Sequence, residues 1–346
     1  MTTTANTHSP NRRVRVAQIG LGRIGAFHAE SLATRITNAD LAWVVDADEA
    51  RAEGLGGRFG VPWTSRFEDV LSDQTVEAIV IATPTPLHAE MVEAAAAVGK
   101  HIFCEKPLSL DANRATQAVA AVRRSQVKLQ VGFQRRYDPD FRLVKAKIDD
   151  GSVGEIRFFR ATCRDMHAPS LEYLRNCGGI FADVTLHDFD VARWLVGEIV
   201  EVYATGAALS NPAIAEIAGD VDNAVVLVKF ANGALGVIDN SRESAYGYET
   251  SIEVMGSRST VRVGQPAQSF SRVETLVDAA LKSDIGVDFV SRFAAGYVAG
   301  VAAFLRAVAD DGDAWPTGED AIAAYAVAQA AQRSMRLKQP VPVTSS

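Results

Sequence analysis

Little in this sequence suggests a disulfide-stabilised, membrane-spanning or nucleic-acid-binding protein. Its 346 residues include only three cysteines, which lie far apart without a C-x-x-C pair, so they show no zinc-ligand spacing and fit a reducing compartment. No apolar run approaches the length of a membrane span. A net charge of −7, with no run of Lys or Arg, argues against a phosphate-backbone partner. We therefore expect a cytoplasmic protein with no membrane partner, no nucleic-acid partner and no bound metal.

The bulk composition is that of a globular protein. Apolar residues make up 48% of the chain and charged residues 22%, which is enough to build a core. The length suggests about two domains. Residues 1–13 are polar and lack the apolar stretch of a secretory signal, so we predict a flexible tail there.

A glycine-rich turn between a strand and a helix lies near the start of the chain. Residues 14–25 read VRVAQIGLGRIG, so an apolar strand runs into a G-x-G-x-x-G turn. Gly20 permits the tight turn, Gly22 lets the backbone approach a pyrophosphate, and Gly25 lets the helix pack closely on the strand. Free N–H groups at the helix start attract phosphates. The pattern favours a dinucleotide site over the alternative of a purely structural turn.

An acidic residue follows at the spacing that dinucleotide folds use. The apolar strand Leu41–Val45 ends in Asp46, about 20 residues beyond Gly25, where such folds place the carboxylate that binds the adenosine ribose. No Arg or Lys is adjacent in the sequence to accept a 2′-phosphate, so we predict NAD rather than NADP. The alternative role for Asp46 is a helix N-cap, since a helical stretch follows.

Strands and helices alternate as far as Gly132. The apolar run Ala78–Ala82 ends in Thr83 and Pro84, and the short strand His101–Cys104 ends in Glu105-Lys106-Pro107. Alternation of this kind predicts a doubly wound parallel sheet over residues 14–132, with ligands at the carboxyl ends of the strands.

The pattern changes after Gly132 to strands with few helices between them. We predict the following elements: strands Glu155–Cys163, Val200–Ala207, Ala224–Phe230, Ala234–Asp239, Thr250–Met255 and Thr260–Val263, and helices Phe181–Val196, Phe289–Asp310 and Glu319–Arg336. Residues 133–346 should therefore form a second, α+β domain on a large, mainly antiparallel open sheet. A sheet with one helical face leaves the other face apolar, so we expect a homo-oligomer.

Three polar residues could carry chemistry. Lys106, at a strand end, could hold a substrate oxygen and stabilise its negative charge, or it could be an ordinary snorkelling lysine. Asp183 and His187 are four apart in the predicted helix, so they share a face. The imidazole could take a hydroxyl proton while the carboxylate orients it, although solvated Asp–His pairs are also common on helices.

Other polar side chains have no decided role from composition alone. They are Arg135, Arg136, Asp165, Tyr246, Tyr248 and Tyr297. Each could bind a hydroxylated substrate or be an ordinary surface or core residue.

Five segments together resemble a known family. They are GLGRIG at residues 20–25, Ala82-Thr83-Pro84 with His88, Glu105-Lys106-Pro107, GFQRRYD at residues 132–138, and Asp183-Val184-Thr185-Leu186-His187. In combination they resemble the glucose–fructose oxidoreductase/inositol dehydrogenase/MocA family, over roughly Val14–Arg336. The resemblance implies an N-terminal Rossmann domain that binds NAD, a C-terminal domain with an open sheet, and an assembly that is a tetramer or a dimer.

The resemblance also implies the site residues. Lys106, Asp183 and His187 would be catalytic, with His187 as the general base. The implied cofactor contacts are Gly20, Gly22, Arg23, Ile24, Gly25, Asp46, Thr83, Pro84, His88, Glu105 and Lys106. The implied substrate contacts are Arg135, Asp165, Asp183, His187, Tyr246, Tyr248 and Tyr297.

The activity implied is NAD-dependent oxidation of a ring hydroxyl of a small cyclic polyol, inositol foremost, to a ketone. Two departures, Gln134 where a Met is expected and a longer segment between Asp165 and Asp183, leave the identity of the polyol open. The alternatives are a dehydrogenase of another sugar or inositol isomer, an NAD-recycling glycosidase or lyase, and a non-catalytic NAD-sensing regulator.

Overall fold

The computed structural model describes residues 12–264 and 288–344, which fall into two compact units. The first unit runs to Gly132 and includes Tyr297–Glu319, and the second comprises Phe133–Gly296 and the residues from Asp320 onward. Most of the predicted N-terminal tail, residues 1–11, lies outside the described residues.

The first unit is built on a parallel sheet. Its elements up to Gly132 are β1 (Val14–Ile19), α1 (Arg23–Thr34), β2 (Ala39–Val45), α2 (Glu49–Phe59), β3 (Trp63–Thr64), α3 (Phe67–Ser72), β4 (Ala78–Ile81), α4 (His88–Ala97), β5 (His101–Glu105), α5 (Ala112–Arg124) and β6 (Leu129–Gly132). The strands pair in parallel in the order β3-β2-β1-β4-β5-β6. The predicted doubly wound sheet is confirmed, and its order reverses between β1 and β4, where such sheets bind ligands.

The remaining elements follow from residue 133 onward. They are α6 (Pro139–Asp149), β7 (Ile156–Arg164), α7 (Leu171–Asn176), α8 (Ile180–Asp183), α9 (Leu186–Val196), β8 (Ile199–Ala207), β9 (Asn223–Phe230), β10 (Leu235–Ser241), β11 (Glu249–Gly256), β12 (Thr260–Val263), α10 (Phe289–Arg292), α11 (Ala294–Ala309), α12 (Gly318–Leu337) and β13 (Val341–Pro342). The second sheet has the order β12-β11-β7-β10-β9-β8-β13. Only β7 and β10 pair in parallel among these described strands, so the prediction of a mainly antiparallel sheet is confirmed.

The second sheet has one covered face and one open face. Along β9, Ala224, Val226 and Val228 are buried, whereas the alternate residues Val225 and Leu227 are exposed. Because side chains in a strand alternate between faces, this pattern means that helices cover one side only within the described residues.

The end of the chain departs from the predicted domain ranges, which placed all of residues 133–346 in the second domain. Helix α11 buries Phe304 and Leu305 in a cluster with Val14 and Val16 of β1. An amphipathic helix packs with its apolar stripe against another apolar surface, and the surface that α11 packs against belongs to the first unit. Residues 297–319 therefore pack with the N-terminal sheet.

The predicted helix Phe181–Val196 is interrupted. Helix α8 ends at Asp183, and α9 begins only at Leu186. Between them, the hydroxyl of buried Thr185 donates a hydrogen bond to Asn240 Oδ1 at 2.6 Å, which ties the break to the end of β10. Asp183 thus ends one helix and His187 lies at the start of the next, and the inference that one helical face carries both stays a prediction.

No helix in the described part of the chain has both the length and the apolarity needed to cross a bilayer.

The assignment of α11 to the first core gives a stability prediction. Leu305→Ala removes a fully buried side chain and should cost about 2–5 kcal/mol in the free energy of unfolding. The same change at exposed Leu143 should stay within about 0.5 kcal/mol. Urea denaturation of the two variants measures both values. Equal losses would mean that α11 is not part of that core.

Candidate functional site

The turn after β1 leaves room for a phosphate at the start of α1. Gly20 has φ +83°, and a Cβ there would lie 2.6 Å from the carbonyl oxygen of Ala82. A Cβ on Gly25 would lie 2.0 Å from the carbonyl oxygen of Gly20, so α1 can sit this close only without a side chain. A Cβ on Gly22, by contrast, would meet nothing within 4 Å. Gly22 is also the N-cap of α1 and makes no side-chain cap bond. This cradle fits the pyrophosphate of a dinucleotide.

Asp46 is held beside this turn. Its Oδ2 accepts a hydrogen bond from the Leu21 N–H at 2.6 Å, and its Oδ1 accepts one from the Asp48 N–H at 2.9 Å. The N-cap of α2 is Asp48, whose side chain accepts a bond from the Arg51 N–H, so the alternative role of Asp46 as the cap is excluded. Its position suits the ribose of the cofactor.

The structure places a cation, Arg51, beside Asp46 that the sequence analysis did not identify. Arg51 lies in the first turn of α2, and its Nη1 is 3.1 Å from Asp46 Oδ1. The statement that no Arg or Lys is adjacent holds along the sequence but not in space, because the turn from β2 into α2 brings Arg51 back to Asp46.

His88 ties together the loops that follow β4 and β5. Its ring is buried, with Nε2 2.8 Å from the carbonyl oxygen of Thr83 and Nδ1 2.8 Å from that of Pro107. Burial lowers the pKa of His88, while the two carbonyl groups favour its protonated form. Both ring nitrogens thus face backbone acceptors. His88 therefore positions Thr83 and the Lys106-Pro107 turn, and its contact with the cofactor stays a prediction.

Glu105 is also turned into the protein. Its Oε1 lies 2.8 Å from Nε2 of the fully buried His28, a partner that sequence reasoning missed. The carboxylate fits only because Gly132 has no side chain, since a Cβ there would lie 2.8 Å from Oε2. Lys106, the next residue, is partly buried at the carboxyl end of β5. The anchored Glu105 therefore fixes the backbone from which Lys106 extends.

In the second unit, a buried arginine holds Asp183. Arg242 Nη1 donates to Asp183 Oδ2 at 2.9 Å, and its Nη2 lies 3.3 Å from Asp220 Oδ2. The Tyr173 hydroxyl donates to Asp183 Oδ1 at 2.9 Å. Burial opposes the charge on Arg242, but the Asp183 carboxylate outweighs it and raises the pKa of Arg242. Both carboxylate oxygens of Asp183 are therefore fixed by neighbours that the sequence analysis did not name.

His187 lies at the start of α9, next to an anchored residue. Its ring meets Phe133 edge-on, with the ring centroids 6.4 Å apart. The following residue, Asp188, is fully buried and forms an ion pair with Arg135, and its Oδ2 accepts a bond from Asn240 Nδ2 at 2.8 Å. These contacts hold the first turn of α9, and with it the backbone of His187.

Arg135 occupies the interior rather than an open pocket. Besides Asp188, its guanidinium contacts Cys163 Sγ at 3.2 Å, and its Cζ lies 5.5 Å from the ring centroid of Phe293. Asp188 raises the pKa of Arg135 against the effect of burial. Its neighbour Arg136 makes two bonds to the buried Asp190 carboxylate. Substrate contact by Arg135 stays a prediction, and the structure gives it a positioning role.

The other predicted substrate residues fall into two groups. Asp165 and Tyr246 are partly exposed near the carboxyl ends of the parallel strands β7 and β10. The Tyr246 hydroxyl accepts a bond from Arg164 Nη1 at 2.9 Å. Tyr248 is buried, and its hydroxyl accepts a bond from Thr250 at 2.9 Å. Tyr297 is buried in the first unit, where its ring packs edge-on against Phe27 and His28.

No group of three or more His, Cys, Asp or Glu residues within the described ranges is arranged to hold a metal ion. The three cysteines, Cys104, Cys163 and Cys177, are all buried and unbridged.

Comparison with known proteins matches both units. Residues 14–133 match a model described as an oxidoreductase family with an NAD-binding Rossmann fold. Residues 141–262 match a model described as the GFO/IDH/MocA C-terminal domain.

Full-length relatives carry related names. An inositol 2-dehydrogenase of Rhizobium meliloti is 38% identical over 95% of this chain and 99% of its own length. A scyllo-inositol 2-dehydrogenase (NAD(+)) of Bacillus subtilis is 37% identical over 95% of this chain and 96% of its own. The crystal structure of scyllo-inositol dehydrogenase from Lactobacillus casei, with bound NAD(H) and scyllo-inositol, has a TM-score of 0.86 and 27% identity, covering 96% of this chain and 99% of that one.

The open space at Gly22 gives a binding prediction. Gly22→Ala should weaken NADH binding about tenfold or more, because the added Cβ occupies the pyrophosphate approach. Its φ of −62° suits alanine, so the free energy of unfolding should change by less than about 1 kcal/mol. Fluorescence titration of NADH measures the first effect, and urea denaturation the second.

Gly57→Ala is the matched control, since Gly57 in α2 also has nothing within 4 Å of an added Cβ. It should leave NADH binding unchanged. Equal affinity of Gly22→Ala and the unmodified chain would show that the cofactor does not approach Gly22.

Proposed function

The chain belongs to the GFO/IDH/MocA family of NAD-dependent oxidoreductases, and from this premise we propose that it is a myo-inositol 2-dehydrogenase. The reaction is the oxidation of a ring hydroxyl of the polyol to a ketone, which gives 2-keto-inositol. The observation that carries the proposal is the match over 95% of the chain to a relative named inositol 2-dehydrogenase.

The proposed roles divide the chemistry among three residues. NAD, when bound, accepts the hydride from the ring carbon that carries the hydroxyl. His187 takes the hydroxyl proton as general base. Lys106 stabilises the negative charge that develops on the oxygen. Asp183 accepts a bond from a neighbouring substrate hydroxyl and favours the protonated imidazole by its charge.

The contacts of Asp183 support its role. Arg242 and Tyr173 hold the carboxylate in one orientation, so it need not reorganise when substrate binds. The side chain retains 13% exposure, unlike the fully buried Arg242 behind it. An anchored but accessible carboxylate is suited to a polyhydroxylated ligand.

Asp165 and Tyr246 are the proposed specificity contacts among the remaining candidates. They lie near the carboxyl ends of β7 and β10, and Arg242 leaves β10 at the same edge to reach Asp183. Arg135, Tyr248 and Tyr297 support the site from buried positions.

NADH formation from a panel of inositols, pentoses and hexoses tests the proposed activity. We expect oxidation of myo-inositol to produce NADH stoichiometrically. If no polyol in the panel is oxidised although the chain still binds NAD, an NAD-sensing regulator would be favoured instead. Turnover without net NADH would indicate an enzyme that recycles its cofactor.

The stereochemistry can be read from the reverse reaction. Myo- and scyllo-inositol differ only in the configuration at one ring carbon, carbon 2 of myo-inositol. Oxidation of either isomer at that carbon gives the same ketone. Reduction of this ketone by NADH should yield myo-inositol. Formation of scyllo-inositol would reassign the substrate without altering the chemistry.

Replacing the proposed base gives a sharper test. His187→Gln should lower kcat by roughly 10²–10⁴-fold, because glutamine cannot accept the hydroxyl proton. NADH affinity should stay within about twofold, since the base is not a cofactor contact in this mechanism. Single-turnover kinetics and NADH titration measure the two effects. Near-normal turnover of this variant across pH would remove His187 from the mechanism.

The open face of the second sheet supports self-association. Tyr203 and Leu227 are exposed and lie opposite each other on β8 and β9, and Leu235 and Met255 are exposed on β10 and β11, which flank β7 in the same sheet. Their apolar surface is what two copies of the chain would bury across a two-fold axis. We propose a homodimer through this face, with two dimers forming the tetramer that the resemblance implied. Its dependence on NAD fits a cytoplasmic enzyme.

Leu227→Lys should break this dimer, because it would bury a charge in the centre of the face. Light scattering after gel filtration should show the mass falling from a multiple of the 37.0 kDa chain toward a single copy. Leu143→Lys, on exposed helix α6, should leave the mass unchanged. An unaltered mass for Leu227→Lys would move the interface elsewhere.

A further inference from the structure

Arg51 places a guanidinium where the adenosine ribose would meet Asp46. Its Nη1 lies 3.1 Å from Asp46 Oδ1, and its Nη2 lies 3.1 Å from Asp48 Oδ2. The Asp46 side chain is 11% exposed and Arg51 46%, so the carboxylate is sheltered while the cation reaches solvent. The arrangement is fixed from the other side by the Leu21 N–H, which donates to Asp46 Oδ2.

Asp46 and Arg51 have opposite effects on the choice between NAD and NADP. A carboxylate at this place accepts bonds from the ribose hydroxyls and repels a 2′-phosphate. An arginine close by attracts that phosphate, because its planar fork matches two phosphate oxygens. Asp46, Asp48 and Glu49 outnumber Arg51, so the local charge still favours the cofactor without the phosphate. The ion pair nevertheless reduces the field that Asp46 presents.

We propose that Arg51 is a specificity-determining residue that lets this chain accept NADP as a secondary cofactor. In the complex with NADP, the guanidinium leaves Asp48 and binds the 2′-phosphate, while Asp46 stays held by the Leu21 N–H. The inference rests on the NAD site of the proposed function but not on the identity of the polyol.

A different role for Arg51 would be to orient Asp46 for the ribose of either cofactor. The two roles predict different results when the guanidinium is removed. An orienting residue should affect NADH and NADPH alike, whereas a phosphate-binding residue should affect NADPH alone.

Titration of the full chain with NADH and with NADPH, followed by fluorescence and calorimetry, separates these roles. Arg51→Gln should raise the Kd of NADPH about fivefold or more, as expected for a solvent-exposed charge-assisted hydrogen bond. The Kd of NADH should change less than about twofold. The Kd of NADPH for Arg51→Lys should lie between those of the unmodified chain and Arg51→Gln, because lysine keeps the charge but lacks the planar guanidinium fork.

Arg58→Gln is the matched control. Arg58 lies on the same helix, in its last turn, and pairs with Glu30 at 3.5 Å. The variant removes the same charge at a distance from Asp46, so both Kd values should stay as they are. An equal loss of NADPH affinity in both variants would mean that only overall charge matters, and the proposal would fail.

Removal of the carboxylate provides the converse test. Asp46→Ser frees Nη1 of Arg51 and the Asp48 N–H, so the Kd of NADPH should fall about tenfold or more relative to that of NADH. The gain should disappear in the double variant Asp46→Ser, Arg51→Gln, since the two residues act on the same phosphate.

Two further results would overturn the inference. One is the absence of saturable NADPH binding by the unmodified chain. The other is a gain in NADPH affinity from Asp46→Ser that persists in the double variant Asp46→Ser, Arg51→Gln. These titrations need no polyol. A failed polyol screen with the expected NADPH results would therefore reject the proposed substrate and leave the role of Arg51 standing.

Discussion

In each unit, a buried partner holds the carboxylate of one of the predicted site residues. In the first, His28 holds Glu105, and in the second, Arg242 holds Asp183. Both carboxylates are largely buried, so removing a partner would leave a polar group without its hydrogen bond, at a cost of about 1–3 kcal/mol or more. The carboxylates are therefore oriented before any ligand binds. This is the condition under which electrostatic stabilisation of a transition state is most effective, because the site need not reorganise.

The features that the sequence predicted well are local ones. The strand, glycine turn and helix at residues 14–34 were predictable because the apolar strand, the three spaced glycines and the helical pattern follow one another directly in the sequence. The parallel and antiparallel sheets followed from strand spacing and from the presence or absence of helices between the strands. The partners of the site residues are not local. Arg242 lies 59 positions from Asp183, and His28 lies 77 positions from Glu105, so no pattern along the chain could pair them.

The break between α8 and α9 shows the limit of periodicity as a guide. Residues 181–196 contain no Gly or Pro that would interrupt a helix, and the apolar residues keep a helical spacing. At the interruption the structure instead shows a tertiary bond, in which Thr185 donates to Asn240 of β10. Its consequence is functional. Asp183 ends one helix and is oriented by Arg242, whereas His187 begins another that Asp188 anchors through Asn240 and Arg135. The two groups are thus set by separate contacts.

Burial changes which residues can select a substrate. Arg135 and Tyr248 are polar residues that family resemblance places near the ligand, yet the two terminal nitrogens of Arg135 are engaged by Asp188 and Cys163, and the Tyr248 hydroxyl is engaged by Thr250. A buried, satisfied group can fix the shape of a pocket but offers few free hydrogen bonds to discriminate one hydroxyl from another. A site discriminates between polyol isomers when its polar atoms bond to a hydroxyl of the correct isomer. With the other isomer, whose hydroxyl points elsewhere, these atoms lose that hydrogen bond. Asp165 and Asp183 retain accessible surface near the ends of their elements, so we propose that these carboxylates, more than the buried arginine, select among isomers.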